Sequence, residues 1–264
     1  MLKRMKERIV ASDFKYLQLL EERKIRPNFW CSQEYFERAG FGEVEEDGWI
    51  HVVDEESDVI LPPMKPNGIC LLPFEFWADL IDCSEFRKLH NATFLDYEYI
   101  YNPKDFQDMA GKKWQVFRKN CRKYPNRADE PLYYEKFDPE IQDKKLDEFL
   151  EIWAEDIKWD EIHDGHIMID YIQNGYNREV LIDYHGDIHG MNIFDENYMF
   201  INFRYCICLD VPFLSEYLRY LFYINRCSQD KLVNDGGVLD NPKLKKFKDK
   251  LNPVEVNKIY SWRF

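Results

Sequence analysis

The sequence predicts an α+β fold, and three observations carry that expectation. Segments with a helical spacing of apolar residues alternate along the chain with runs rich in β-branched and aromatic residues. Three such runs, "REVLIDY", "DIHGMNIF" and "NYMFINFRYCIC", follow one another between Arg178 and Cys208, joined by "HG" and "DEN", the pattern of an antiparallel meander. The chain has 264 residues, 45% of them hydrophobic and 16% aromatic, enough for one large core or two compact ones.

The first half opens with helical spacing from Asp13 to Lys24, ended by "RPN". A short helix is predicted over Ser32–Ala39, with Ser32 as its N-cap and Tyr35 and Phe36 facing inward. "GWIHVV" and "DVILPP", separated by the polar "DEES", read as a hairpin near 48–63. "PFEFWADLID" reads as a helix with Pro73 in its first turn. "ATFLDYEYIYN" alternates as a strand, with Phe94, Asp96 and Glu98 on one side and Leu95, Tyr97 and Tyr99 on the other.

After a strongly basic segment, the second half continues with an acidic helix over Lys144–Trp159 and then the meander. Val211–Asn225 has the spacing of a helix rich in Tyr, Leu and Phe. "KLVND" reads as a short strand broken by "GG". Asn241 and Pro242 form an N-cap and N1 pair that opens the helix "KLKKFKDKL". "VEVNKIYSWRF" closes the chain as a strand. The order hairpin, helix, strand occurs twice. It divides the chain into an N-terminal half, 1–106, and a C-terminal half, 107–264, which begins with the basic helix.

Composition excludes several classes. No apolar run approaches the roughly 20 residues that span a bilayer, so no integral membrane segment is expected. The start, "MLKRMKERIVASDFKYLQLL", lacks an uninterrupted apolar stretch and reads as a helix, not a signal peptide. Seven cysteines without framework spacing predict reduced thiols and a cytoplasmic location. A pI near 5.0 argues against coating nucleic acid over the whole surface, but leaves room for one basic groove. No metal is expected. Cys206 and Cys208 lack two further ligands, and His185 and His189 are separated by a Gly-Asp turn that defeats helical zinc spacing. His163 and His166 flank Asp164 in a predicted loop, where capping competes with a role as base.

The sharpest local signal is "GKKWQVFRKNCRKYPNR", Gly111–Arg127. It holds seven Lys/Arg residues and no acid, in a chain of net charge -13. At helical spacing Trp114, Phe117, Cys121 and Tyr124 fall on one stripe about 80° wide. The cations Lys112, Lys113, Arg118, Lys119 and Arg122 spread over the remaining surface. Like charges four residues apart repel by a few tenths of a kcal/mol per pair. The face therefore suits either a phosphate-bearing ligand (tRNA, a nucleotide, CoA or DNA) or a solvated surface paired with acids such as "DEFLEIWAED". A second signal is "NDGG", Asn234–Gly237. There a strand ends in a tight turn, so Asn234 and Asp235 can approach a ligand, and Asp235 can orient or deprotonate an attacking amine. An Asx-type turn is the alternative.

"FLDYEYIYNPKDFQDMAGKKWQVFRKNCRKY" resembles a segment of the phosphatidylglycerol lysyltransferase C-terminal-domain-like family, with Gly111, Lys112, Lys113, Lys119 and Asn120 at the matching positions. "NFWCSQEYF" with "DVILPPM", and "LVNDGGVLDNPKLKKFKDKLNPVEVNKIYS", resemble its two ends in the same order, over about residues 28–262. The resemblance implies a tandem pair of halves with the fold of GCN5-related acetyltransferases, each a mixed, mostly antiparallel sheet flanked by helices. It implies an acyltransferase moving an aminoacyl group from a tRNA-type donor to an amine or hydroxyl, with Asp235 and Tyr260 as candidate catalytic residues and Tyr260 as acid to the leaving group. A core or interface tyrosine is the other reading of Tyr260. Acetyl-CoA-using members of this fold carry a glycine-rich pyrophosphate loop before the long helix. Here that piece is "YCICLDVPFLSEYL", without glycine and with Asp210 and Pro212 in its place. An acyl-CoA-dependent N-acetyltransferase, a DNA-base-modifying transferase and a non-catalytic nucleic-acid-binding module remain alternatives. Aminoacyl-tRNA or acyl-CoA would be the donor substrate, and no other cofactor is implied.

Overall fold

The structure is a computed structural model that describes residues 14–46, 48–54, 61, 64, 93–128, 130–155 and 165–261. The chain divides into two compact units. The first takes the residues up to Glu98, Glu196–Met199 and the end from Val256. The second takes Tyr99–Asp195 and Phe200–Glu255.

In the first unit, α1 (Lys15–Glu22) and α2 (Gln33–Arg38) precede a hairpin of β1 (Gly42–Glu46) and β2 (Trp49–Val53). Ser32 caps α2 as the sequence predicts, its hydroxyl accepting from the Tyr35 amide at 3.1 Å. Phe36 is fully buried, meeting Phe14 edge-on at 4.9 Å between centroids. The described hairpin lies one step earlier than the one read from the sequence: "GWIHVV" pairs with the preceding Gly42–Glu46, while most of "DVILPP" lies outside the described residues. Glu46 pairs with Trp49, and Gly48 between them sits at φ 78°, the conformation that a tight hairpin turn takes at a glycine. Of "DVILPP", Leu61 is described and buried, and the following Met64 bridges Ile50. The predicted helix "PFEFWADLID" lies outside the described residues. β3 (Thr93–Tyr101) gives its first six residues to this unit and its last three to the second, and β9 (Glu255–Ser261) is its neighbour in strand order.

The second unit begins with the end of β3, then α3 (Asp105–Asp108), a 3-10 turn (Lys112–Trp114) and α4 (Gln115–Lys123). It continues through β4 (Leu132–Lys136), α5 (Pro139–Glu155), α6 (Gly165–Asn174), β5 (Asn177–Asp183), β6 (Ile188–Glu196), β7 (Phe200–Cys208), α7 (Leu214–Ile224), β8 (Leu232–Asn234) and α8 (Pro242–Lys250). Its strands lie in the order β4-β5-β6-β7-β8-β3. β4 and β5, β5 and β6, and β8 and β3 pair antiparallel, while β7 and β8 run parallel. This is the mixed, mostly antiparallel α+β arrangement that the sequence predicts.

The meander and the helix before β8 fall where they were read. The acidic helix starts five residues earlier, at Pro139, and β4 and α6 are additions. His166 stands in the first turn of α6, not in a loop; Ile167, Met168, Tyr171 and Ile172 make the buried stripe that drives it. Asn241 caps α8, its side-chain oxygen accepting from the amides of Lys243 and Leu244 at 3.0 Å each.

Candidate functional site

β7 and β8 pair only over Phe200–Asn202 and Leu232–Asn234. β7 then runs on to Cys208, while β8 ends and turns toward β3: the Asp235 amide donates to the Tyr99 carbonyl at 2.8 Å, and the Tyr99 amide to the Gly236 carbonyl at 3.1 Å. Two parallel strands thus part, with α7 following the longer one. Chain ends and side chains gather at such a divergence because the sheet no longer fills the space between them.

The loop from β7 into α7 carries no run of free amides. Leu209 donates to the His189 carbonyl at 3.1 Å, Val211 to Leu209 at 2.7 Å, and Leu214 to Val211 at 3.2 Å. Phe213, at φ 77°, occupies the position before the helix. Asp210 and Pro212 stand in this loop, as the sequence implies.

The basic helix packs against α7. Trp114, Phe117, Cys121 and Tyr124 are all buried, as the stripe predicts. Burying apolar side chains of this size stabilises by about 1.5–3 kcal/mol each. Phe106 of α3 seats them: its ring lies 4.9 Å from Trp114 and 6.0 Å from Phe117, and stacks on Tyr223 of α7 at 3.9 Å. Asn120 donates to the Glu216 carboxylate at 3.2 Å, and the Cys121 thiol to the Glu216 carbonyl at 3.4 Å. Toward the end of the helix, the Lys123 ammonium lies 4.1 Å and the Arg127 guanidinium 5.1 Å from the Phe213 ring centre. Positive charge therefore collects beside the first turn of α7.

The predicted cations differ in their surroundings. Arg118 is half-buried and donates to the Met109 carbonyl, so it also has a structural part. Lys112, Lys113, Lys119 and Arg122 are exposed, and among the described residues none of them has an acidic partner. They begin after Gly111, whose φ of 87° is open to glycine and strained for other residues.

Asn234 and Asp235 lie together at the end of β8, both buried. The Asn234 side chain accepts from the Gly236 amide at 3.0 Å, closing the turn that the Asx reading anticipates. The Asp235 carboxylate is met by Arg219 of α7, by the Tyr223 hydroxyl at 3.1 Å and by Lys248 of α8 at 3.2 Å. Lys248 donates in addition to the carbonyls of Asp235, Gly236 and Gly237. Asp235 is thus a buried counter-ion held by three donors. Tyr260 lies in β9, in the first unit.

α7 links the two predicted groups within the second unit, touching the basic helix through Glu216 and Asp235 through Arg219 and Tyr223. The sequence reading missed Arg219, Tyr223 and Lys248. A lone arginine inside the apolar "EYLRYLFYI", with a tyrosine four residues on, was the available signal. It also missed the contact of Tyr124 with His189 and that of His189 with Asp183. Cys206 and Cys208, on β7, are quiet thiols: burial pushes Cys206 up to about 11 and Cys208 higher.

No family profile and no curated protein sequence matches the chain. Solved structures do. A conserved protein of unknown function from Bacteroides thetaiotaomicron matches at TM-score 0.65 and 17% identity, over 88% of each chain. L-PGS from Bacillus licheniformis matches at TM-score 0.63 and 17% identity, over 99% of this chain and 94% of that one. The C-terminal domain of a "putative lysylphosphatidylglycerol synthetase" from Agrobacterium fabrum matches at 0.60 and 11%, over 92% and 90%. The chain has a mixed α+β fold, a large sheet flanked by helices. More narrowly, it shares the fold of the phosphatidylglycerol lysyltransferase C-terminal domain, the family its sequence resembles.

Proposed function

We propose that this chain is an acyltransferase that moves an aminoacyl group from a tRNA-type donor to an amine or hydroxyl acceptor. The observation that carries the reading is the cationic face beside α7. Four exposed cations without an acidic partner among the described residues stand on the 3-10 turn and the helix after it, seated against the first turn of α7, in a chain of net charge -13. Unscreened positive charge on an acidic protein draws a polyanion to one place and repels it elsewhere. The loop before α7 has the amides of Leu209, Val211 and Leu214 engaged, lacks one at Pro212 and carries Asp210, which disfavours a pyrophosphate cradled by backbone and favours phosphates held by side chains. Sharing a fold with L-PGS supports the same class of reaction.

In this reading the acceptor's nitrogen or oxygen attacks the ester carbonyl carbon of the donor. A C–N or C–O bond forms, the ester bond to the ribose breaks, and the acceptor's proton passes to the departing ribose oxygen. The protein's share is orientation and stabilisation of the charge on the carbonyl oxygen. Lys112, Lys113, Lys119 and Arg122, helped by Arg118, would hold the donor's phosphates. Asn234 and Asp235 would position the acceptor from the end of β8.

The test is fluorescence anisotropy with labelled tRNA and with labelled CoA over a range of salt, followed by release of a radiolabelled aminoacyl group from charged tRNA. The reading expects tRNA binding that weakens steeply with salt, and release that depends on an added amine or hydroxyl. Binding of CoA without tRNA would replace the donor, and tRNA binding without release would leave a binding module.

A further inference from the structure

We infer that a cavity beside α1, wholly within the first unit, binds a small primary amine in its ammonium form, the apolar body inside and the ammonium at the mouth. The cavity encloses about 270 Å3, and among the described residues Phe14, Leu17, Leu20 and Pro27 form its apolar wall. A dry cavity of about 150 Å3 holds benzene, so this one has room for a ring with a short arm. Leu17 and Gln18 stand four and three residues before Glu21, so the three share one side of α1. Tyr16 and Leu19 take the opposite, buried side. The helix therefore offers the cavity an apolar contact with a polar edge.

Charge at the mouth selects the ligand. Gln18 and Glu21 line the cavity and are exposed. Among the described residues the Glu21 carboxylate has no ion-pair partner, and the Gln18 side-chain amide makes no hydrogen bond. Glu196 lines the cavity as well, and among the described lining residues there is no lysine, arginine or histidine. The Tyr198 phenol on the wall stays neutral, because burial, with Cys31 and Glu21 nearby, pushes its pKa up to about 12. A recess lined by one sign of charge repels anions and draws a cation. An ammonium brings three N–H donors, which suit the Glu21 carboxylate and the Gln18 side-chain oxygen.

The walls are tied together without a ligand. The turn after β6 is fastened to the segment between α1 and α2 by two side chains: Asn197 donates to the Cys31 carbonyl at 3.1 Å, and the Tyr198 hydroxyl donates to the Ile25 carbonyl. The Phe14 amide donates to the Gln33 side chain at 3.4 Å, which holds the start of α1 against α2. A cavity already held in shape loses little freedom when a ligand enters. The inference goes beyond the proposed acyl transfer: it uses none of the same residues, and the cavity takes an amine whether or not tRNA binds.

The experiment uses the full chain with 13C-labelled leucine methyl groups, assigned through bonds from the backbone. Phenethylammonium, 2-phenylethanol and 3-phenylpropionate, alike in shape and different in charge, are titrated separately at constant ionic strength. A saturable shift of the Leu17 and Leu20 methyl signals is expected with the amine. The alcohol should bind about threefold more weakly or worse, the range for an ion pair at an exposed mouth, and the carboxylate more weakly still. Glu21→Gln changes an exposed side chain without an ion-pair partner among the described residues, and should bring the amine down to the affinity of the alcohol. Leucine signals that do not move with the amine overturn the proposal. So does an alcohol or carboxylate that binds as tightly as the amine, or a folded Glu21→Gln variant that binds the amine as well as the parent. Because the three probes are compared on the unmodified chain, the titration still decides the matter if the variant does not fold. Release of an aminoacyl group from charged tRNA is measured separately, so failure of the proposed reaction and failure of this site are told apart.

Discussion

The phenolic oxygen of Tyr124 lies 2.5 Å from Nδ1 of His189, and Nε2 of the same ring lies 3.5 Å from Oδ2 of Asp183. Tyr124 follows the last residue of the basic helix, His189 stands on β6 and Asp183 ends β5. The chain of contacts therefore ties the cationic helix to two adjacent strands. Burial works against the Asp183 charge, but the amides of Asp187 and His185 and the His189 ring outweigh it, so the Asp183 pKa falls.

Tyr124→Phe should lower stability by about 1 kcal/mol, the usual loss for one hydrogen bond with its partner left behind. Burial, with the neighbourhood of Cys208, Tyr217 and Asp183, pushes the Tyr124 phenol up to about 12. A folded-state pKa above the ordinary value near 10 favours the folded state below pH 10, and this contribution is lost as pH rises through 12. Between those limits the variant should lose stability less steeply than the parent. Tyrosine 13Cζ spectra should show a signal with a midpoint near 12 that is missing from the variant, while that of Tyr198, also raised to about 12, remains. A Tyr124 signal titrating near 10 would contradict the buried contact.

Lys119→Glu with Arg122→Glu should abolish or greatly weaken tRNA binding while leaving the unfolding midpoint in urea nearly unchanged. Both side chains are exposed and have no acidic partner among the described residues, so the fold loses no ion pair. Each lost phosphate contact should also flatten the plot of log affinity against log salt by roughly one unit. Arg118 is a poorer choice for this test, because its bond to the Met109 carbonyl mixes stability with binding. Unchanged tRNA affinity in the double variant would mean that the cations are solvated surface.

Asp235→Ala should be severely destabilising, by about 3–5 kcal/mol, because it removes the buried carboxylate that Arg219 and Lys248 both meet. Asp235→Asn keeps the shape and the Tyr223 contact but not the charge, and should lie between alanine and the parent. Urea denaturation gives both numbers. A loss below about 1 kcal/mol for alanine would show that the cluster is not held by its charges.

Much of this was legible in the sequence for local reasons. Ser32 and Asn241 cap their helices because a short side-chain oxygen before a helix has only nearby amides to satisfy. The stripe of Trp114, Phe117, Cys121 and Tyr124 follows from helical spacing alone. The pairing of β2 with Gly42–Glu46 was passed over because two β-rich runs flank "DEES", although the Asp-Gly pair at 47–48 is a stronger and shorter signal. Arg219 was missed because its partners come from α8 and the end of β8, far away in the chain, and spacing along one helix says nothing of them. The contact of Tyr124 with His189 likewise joins residues 65 apart in sequence.

Gly190→Ala should cost about 1–3 kcal/mol through overpacking between β6 and α7. A Cβ at Gly190 would lie 2.4 Å from Cδ1 of Leu218, 2.8 Å from Cβ of Cys208 and 2.8 Å from the Ile207 carbonyl oxygen. The last two belong to or adjoin the backbone of β7 and cannot rotate away, and Leu218 is fully buried. The helix has to move instead, and it carries Glu216 toward the basic helix and Arg219 toward Asp235. The variant should therefore be less stable and should also perturb the Arg219 Nε–H signal. Gly186→Ala is the control: nothing lies within 4 Å of its Cβ, so its penalty comes from φ 81° alone and should leave the Arg219 signal in place. Combining Gly190→Ala with Leu218→Ala should cost less than the sum of the two single changes, since the deleted methyl groups make room for the added one. Strict additivity of the two would show that Gly190 is not what sets the distance between β6 and α7.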